Sequence, residues 1–188
     1  MRVIAGSARR LNLKCLPGDA TRPTLDRYKE TLFNTMQSYI PDCRFLDIFA
    51  GSGAIGIEAL SRGARQCVFI ENNRNAIKII NENLEFTHLA DRAEVMTADA
   101  ITGMMQIEKK GAFDVIFMDP PYDKGLEEQV LNYLCTSKLA GNDTLIVVEA
   151  SNDTDLQYVE NLGFEKTNEK IYKKNKHVFL KRKPKEEN

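Results

Sequence analysis

Two short segments of this chain are built to one plan: FLDIFAGSGAIG from Phe45 to Gly56, and DVIFMDPPY from Asp114 to Tyr122. Each is an apolar run that stops at an acid and then turns. Runs of this kind suit strands buried on both faces of a parallel sheet. In the first, the turn is rich in glycine and opens a helical pattern, so backbone N–H groups can approach a small polar ligand. In the second, an acid and two prolines make a stiff corner that ends in an aromatic ring, which suits holding a flat, hydrogen-bonding group. A ligand cradle and a planar-group clamp, both at strand ends, read together as group transfer onto a base.

Strand-like and helix-like runs alternate around these motifs. RFLDIF precedes a helix to about Arg62, QCVFIE a helix over Arg74 to Phe86, AEVMTAD a short helix, and DVIFMD a helix over Leu126 to Cys135, before TLIVVEA. The expected fold is α/β: a Rossmann-like, mostly parallel seven-stranded sheet with helices on both faces. Ahead of it, Thr24 is placed to cap a helix in which Leu25, Tyr28, Leu32, Met36 and Tyr39 recur at helical spacing. Beyond it, a helix near Asp155 to Asn161 leads into two strands around Lys174-Asn175, giving an antiparallel C-terminal edge. The opening RVIAGSARRLNLKCL reads as a small N-terminal β-hairpin standing apart from the main fold. The organisation expected is a basic hairpin extension over 1–20, one catalytic domain over 21–183 and a disordered tail over 184–188. With 188 residues, 43% of them hydrophobic, the chain can bury one good core but not two.

No apolar run approaches the roughly 20 residues of a membrane span, and MRVIAGSARR lacks the apolar stretch of a signal peptide. A cytoplasmic protein is expected. Cys15, Cys43, Cys67 and Cys135 are scattered without a CxxC pair, and only His88 and His177 could join them as ligands. Buried reduced thiols are expected, with no disulfide and no metal. The net charge of −1 conceals a strong asymmetry. Residues 1–30 carry seven Lys/Arg against three Asp/Glu and residues 166–188 carry nine against three, while the body between is acidic. Basic ends on an acidic body suggest a footprint for a polyanion, with Arg2, Arg9, Arg10, Lys14, Arg22 and Arg27 as candidate RNA contacts.

Within the first motif Gly51, Gly53 and Gly56 satisfy GxGxxG, a signal shared by several nucleotide-binding classes. Asp47, at the strand end, would repel a pyrophosphate but can face a cationic amino acid moiety or an ordered water. Glu71, about 20 residues beyond the glycines and ending the next strand, can accept ribose hydroxyls. Asp99, ending the third strand, can accept from an adenine amine, cap the following helix, or do both. A side chain at Gly53 is expected to fill volume that the cofactor needs. In the second motif, Asp119 and the Pro120 carbonyl can accept the two hydrogens of an exocyclic amine and disperse developing positive charge. Tyr122 can stack on the base, and Pro120 and Pro121 keep these acceptors from drifting.

DPPY following FAGSGAIGIEALSRGA resembles the amino-methyltransferase branch of the class I S-adenosylmethionine-dependent enzymes. TRPTLDRYKETLFN followed by LDIFAGSGAIGIEALSRGA resembles, more closely, the bacterial 16S rRNA (guanine-N2)-methyltransferase family called RsmD. The resemblance covers nearly the whole chain, from Arg2 to Lys183. It implies methylation, with S-adenosyl-L-methionine, of a guanine N2 amine in 16S rRNA within a small-subunit assembly particle; a monomer is expected. The cofactor set it implies is Asp47, Phe49, Ala50, Gly51, Ser52, Gly53, Glu71, Asn72, Asp99 and Ala100. Asp119, Pro120, Pro121 and Tyr122 would hold the guanine, and Arg22, Thr24 and Arg27 would border the site. One departure is visible: the hairpin carries Ala8-Arg9-Arg10 where many members have Trp-Arg-Gly.

Other classes fit less well. A DNA adenine methyltransferase would use DPPY equally well, but usually carries a target-recognition domain for which this chain has no residues. A protein glutamine methyltransferase usually has Asn in place of Asp119. A nicotinamide oxidoreductase lacks a plausible hydride-transfer acid here, and a non-catalytic RNA-binding relative would have no need of Asp47, Glu71 and Asp119 together.

Overall fold

The computed structural model describes residues 1–16, 23–122 and 124–183. Its centre is a seven-stranded sheet of order β3-β2-β1-β4-β5-β7-β6. The strands are β1 (Arg44–Ile48), β2 (Gln66–Glu71), β3 (Ala93–Thr97), β4 (Phe113–Met118), β5 (Ala140–Ser151), β6 (Phe164–Ile171) and β7 (Asn175–Arg182). The first five pair in parallel, and β7 runs against both β5 and β6. The C-terminal hairpin therefore closes the sheet with its reversed strand inside and β6 at the rim.

Alternation along the strands sends side chains to two separate cores. Phe45, Phe69, Phe117, Val147 and Phe179 pack on one face with α1 (Pro23–Thr35), α2 (Ala54–Ser61) and α3 (Arg74–Thr87). Leu46, Ile48, Ile70, Met118, Val148 and Val178 pack on the other with α4 (Ala100–Ile107) and α5 (Leu126–Leu134). No helix among the described residues is long and apolar enough to cross a membrane.

Three local expectations are corrected. Pro23 is the first helical residue of α1, a position where a missing N–H costs nothing, so Thr24 lies inside the first turn and does not cap it. The stretch expected as a helix near Asp155 makes only a 3-10 turn over Gln157–Glu160, with Asp155 Oδ1 taking the Gln157 N–H. The opening segment doubles back through the antiparallel bridge Arg2–Asn12, the one isolated bridge among the described residues, and it does not stand apart. Val3, Ala8 and Leu13 are buried in the first core. Ile4 and Ala5 donate their N–H groups to Glu58 at 2.8 and 3.0 Å, Ala8 donates to Ser61 Oγ, and Lys14 donates to Asn83 Oδ1. Side chains of α2 and α3 thus take the place of a partner strand. Arg22 and the proposed tail over 184–188 lie outside the described residues.

Glu58 is the centre of this attachment. Fully buried, its carboxylate also meets Lys29 Nζ at 3.0 Å and Arg62 Nε at 2.7 Å. Lys29, on α1, donates onward to the Arg2 carbonyl at 2.6 Å, and burial lowers its pKa against the pull of Glu58. One acid therefore fastens three segments that are distant in sequence. All four cysteines are free thiols; Cys43 and Cys67 are buried, whereas Cys15 and Cys135 are only partly so.

Candidate active site

The glycine loop leaves β1 at Phe49 and enters α2 at Ala54. Phe49, Gly51 and Gly53 all have positive φ, of 62°, 55° and 76°. For phenylalanine that is an unusual conformation, held because the ring packs at the edge of the second core. A Cβ at Gly51 would meet nothing within 4 Å, whereas one at Gly53 would come to 3.2 and 3.3 Å from Ile80 and 3.5 Å from Ile57. The expectation about Gly53 is therefore corrected: its missing side chain makes room for α3, and Gly51 is the glycine that faces open space.

Asp47 is 1% exposed, and its Oδ2 accepts the Gly56 N–H at 2.8 Å. Burial pushes its carboxyl up to about 8, opposed by that hydrogen bond and assisted by the charge of Glu71. So deep a group supports the loop, and any contact with a ligand has to run through a water or a shift of the backbone. Glu71 Oε2 accepts from Gly51 N–H at 2.8 Å, and Oε1 accepts from the N–H groups of Asn72 and Asn73 at 2.9 and 2.8 Å. A carboxylate has about four acceptor positions. Glu71 thus ties the loop to the end of β2 and retains capacity for one further donor, where the sequence reading had two ribose hydroxyls. Asp99 does cap α4, its Oδ1 accepting the Thr102 N–H at 3.0 Å, and this bond lowers its pKa.

Glu71, Asn72, Asp99 and Ala100 line a cavity of about 240 Å³, together with Phe49, Ile70, Ala98, Ile101, Leu126, Gln129 and Val130. Acids on one rim and apolar side chains on the walls suit a flat heterocycle carrying a ribose. Ala50, Ser52 and Gly53 belong to the loop beside it. Across the sheet, β1 pairs with β4 and Ile48 is the register partner of Met118. The glycine loop and Asp119-Pro120-Pro121-Tyr122 therefore leave adjacent strands at the same level. Asp119 and Pro121 are exposed, Pro120 is buried, and Tyr122 is 42% exposed. Burial, with Glu149 and Asp119 adding to it, raises the Tyr122 pKa; its hydroxyl lies 3.5 Å from Glu149 Oε1, a long contact.

Of the candidate RNA contacts, Arg9, Arg10 and Arg27 are brought together with Arg2 around a cavity of about 510 Å³ that also includes Asp26 and Glu30. Lys14 is not part of it, being paired with Glu82 on α3 at 2.8 Å. Thr24 lies in the first turn of α1. The sequence reading missed Glu149, His177, Asn175, Tyr172 and Tyr28, which form a linked polar and aromatic group beside Tyr122. His177 Nε2 lies 3.0 Å from Glu149 Oε2, the Tyr172 hydroxyl lies 3.1 Å from His177 Nδ1, and the rings of Tyr28 and Tyr172 are 4.3 Å apart. Only the acid ending the apolar run of β5 was a visible signal. Among the described residues no cluster of His, Cys, Asp or Glu is placed to hold a metal ion.

Sheet, loop and cavity together define the Rossmann-like architecture of the S-adenosylmethionine-dependent methyltransferases. A family model described as "Conserved hypothetical protein 95" matches residues 1–181. The ribosomal RNA small subunit methyltransferase D of Haemophilus influenzae is 38% identical over 162 residues, 86% of this chain and 84% of that protein. Its Escherichia coli counterpart is 37% identical over 85% of this chain and 79% of its own length. The solved structure of Escherichia coli yhhF superposes with a TM-score of 0.82 at 33% identity, covering 97% of this chain and 98% of that one. This chain belongs to that family, the RsmD methyltransferases.

Proposed function

We propose that this chain transfers a methyl group from S-adenosylmethionine to the exocyclic N2 amine of a guanine in 16S rRNA. The observation that carries the reading is the register of β1 with β4, which sets the two motifs side by side. A donor held by one loop and an acceptor held by the other then meet without a strand between them. The names of the small-subunit relatives support the class of RNA.

When bound, S-adenosylmethionine supplies an electrophilic methyl carbon on a sulfonium that departs as a neutral thioether. The chain is left with binding and orientation. Gly51, Ser52 and Gly53 carry the amino acid part, above Asp47. Glu71 would offer its remaining acceptor position to the ribose, and Asp99 and Ala100, with Phe49, Ile70 and Ile101 lining the same cavity, would hold the adenine. Asp119 and the Pro120 carbonyl accept the two amine hydrogens, which turns the nitrogen lone pair to the methyl group and disperses the charge that develops. Tyr122 stacks on the guanine after it has left its helix or loop. Arg9, Arg10 and Arg27 hold RNA phosphates. The protein acts as a cytoplasmic monomer on a small-subunit assembly particle, which supplies recognition that a chain of this size does not carry.

The test is to map methylated guanosine in rRNA from a strain lacking the gene. One N2-methylguanosine should be missing from 16S rRNA and should return with the unaltered gene but not with Asp119→Ala. An unchanged methylation pattern, or transfer to DNA adenine by the purified protein, would overturn the reading.

A further inference from the structure

We infer that the turn joining β6 to β7 is a second nucleic-acid contact of the acceptor site. It takes a nucleotide next to the target guanine, offering an apolar face to its base and two ammonium groups to its phosphates. This contact presupposes the methyltransferase reading above.

Topology puts the turn in the right place. Because β7 opposes both β5 and β6, β6 runs with the parallel strands, and residues 172–174 emerge at the same sheet edge as the glycine loop and DPPY. Met118 pairs with Val148, Val148 with Val178, and Glu149 with His177. Asp119, Glu149 and His177 therefore stand at one level on successive strands.

The turn is also held rigidly. Asn175 Nδ2 donates to Glu149 Oε1, and His177, 2% exposed, donates from Nε2 to the other oxygen of the same carboxylate. That assignment leaves His177 Nδ1 to accept from the Tyr172 hydroxyl, while the Tyr172 ring rests on Tyr28 of α1. Asn152 Nδ2 donates to the Tyr172 carbonyl at 3.0 Å. A surface fixed in this way loses little conformational freedom when a ligand docks.

Its outward residues have the chemistry of a single-strand contact. Ile171 is 67% exposed, and Lys173 and Lys174 follow it, both exposed. One aliphatic side chain is too small a patch to seat a protein, and a lone exposed isoleucine is ordinary on a surface. Beside two cations at the edge where a base must be received, it matches the pairing of base contact with phosphate contact that single-stranded nucleic acid requires.

The experiment uses the full chain with in vitro transcribed 16S rRNA and with small subunits purified from a strain lacking the gene. Lys173→Gln with Lys174→Gln should lower the log–log salt slope of RNA binding by roughly 0.7–0.9 per lysine. Ile171→Ser should raise KM for RNA about tenfold, from the apolar surface that the base would no longer cover. Melting temperature and S-adenosylmethionine affinity should not move in either variant. Lys109→Gln with Lys110→Gln removes the same charge just before β4, at the opposite sheet edge, and should leave the slope unchanged. An unchanged slope in the Lys173/Lys174 variant, or an unchanged KM in Ile171→Ser, overturns the contact. So does loss of transfer on small subunits with naked RNA unaffected, which would make the turn a protein contact. Failure of the unaltered chain to methylate either RNA is a separate outcome, which removes the proposed function before any variant is made.

Discussion

Alanine at Gly51 and alanine at Gly53 separate ligand binding from folding, although the two glycines stand two residues apart in one loop. Both have positive φ, so each substitution places an L side chain in the left-handed region, at roughly 1–2 kcal/mol. At Gly51 nothing further is added, since the new Cβ meets no atom within 4 Å. At Gly53 the Cβ approaches both branches of Ile80 at 3.2 and 3.3 Å, and forcing a methyl into a packed site adds about 1–3 kcal/mol. For a chain of this length each kcal/mol lowers the melting temperature by about 2–4 °C. Gly51→Ala should therefore melt about 2–8 °C lower and Gly53→Ala about 4–20 °C lower. Binding should follow the reverse order. Gly51→Ala fills the open side of the loop and should weaken S-adenosylmethionine at least tenfold, about 1.4 kcal/mol. Gly53→Ala, measured below its melting transition, should bind within about threefold of the unaltered chain. Calorimetric titration and thermal melting of the two variants decide the matter. Gly51→Ala with unaltered affinity, or Gly53→Ala with weakened affinity and undiminished stability, would refute this reading of the loop.

Asp119→Ala should reduce turnover at least about a hundredfold with cofactor affinity little changed, if Asp119 accepts from the amine as proposed; single-turnover methyl transfer measures it. Arg9→Ala with Arg10→Ala should weaken RNA binding and lower its log–log salt slope by roughly one to two, read by filter binding across a salt series. For Asp47, a folded-state pKa raised to about 8 means that the folded form keeps its proton longer than the unfolded chain does, so this group erodes stability as pH rises from about 4 to about 8. Asp47→Asn should consequently gain stability over the unaltered chain between pH 5 and pH 8, by at most about 1.4 kcal/mol per pH unit. Denaturant midpoints at the two pH values check the sign, and parallel curves would contradict it.

The parallel strands and the helices between them were legible because hydrophobic period is a local property. RFLDIF and DVIFMD carry no polar alternation, and Leu32 and Met36 recur at helical spacing, so each element could be read in its own window. The site motifs were legible for the same reason, each being one strand end and one turn. What escaped is long-range. Nothing near Glu58 in sequence announces that it will take N–H groups from Ile4 and Ala5, 54 and 53 residues away, and without that acid the opening segment reads as a free hairpin. Glu149 and His177 were likewise invisible as a pair, since their meeting depends on β7 entering the sheet between β5 and β6. The reason for a glycine at position 53 was misread, because a glycine pattern records that side chains are excluded, not which neighbour excludes them.

The attachment of the N-terminal segment to Glu58, Ser61 and Asn83 has a consequence for how the chain matures. The N–H groups of Ile4, Ala8 and Lys14 are donors whose acceptors, on Glu58, Ser61 and Asn83, are synthesised more than fifty residues later. Until α2 and α3 are in place these donors lack their acceptors, and no contact from either helix holds the segment bearing Arg2, Arg9 and Arg10 beside Arg27. A nascent chain or an early truncation product would meet nucleic acid only through loose charge, so a shaped basic surface is acquired together with the closed core and not before it.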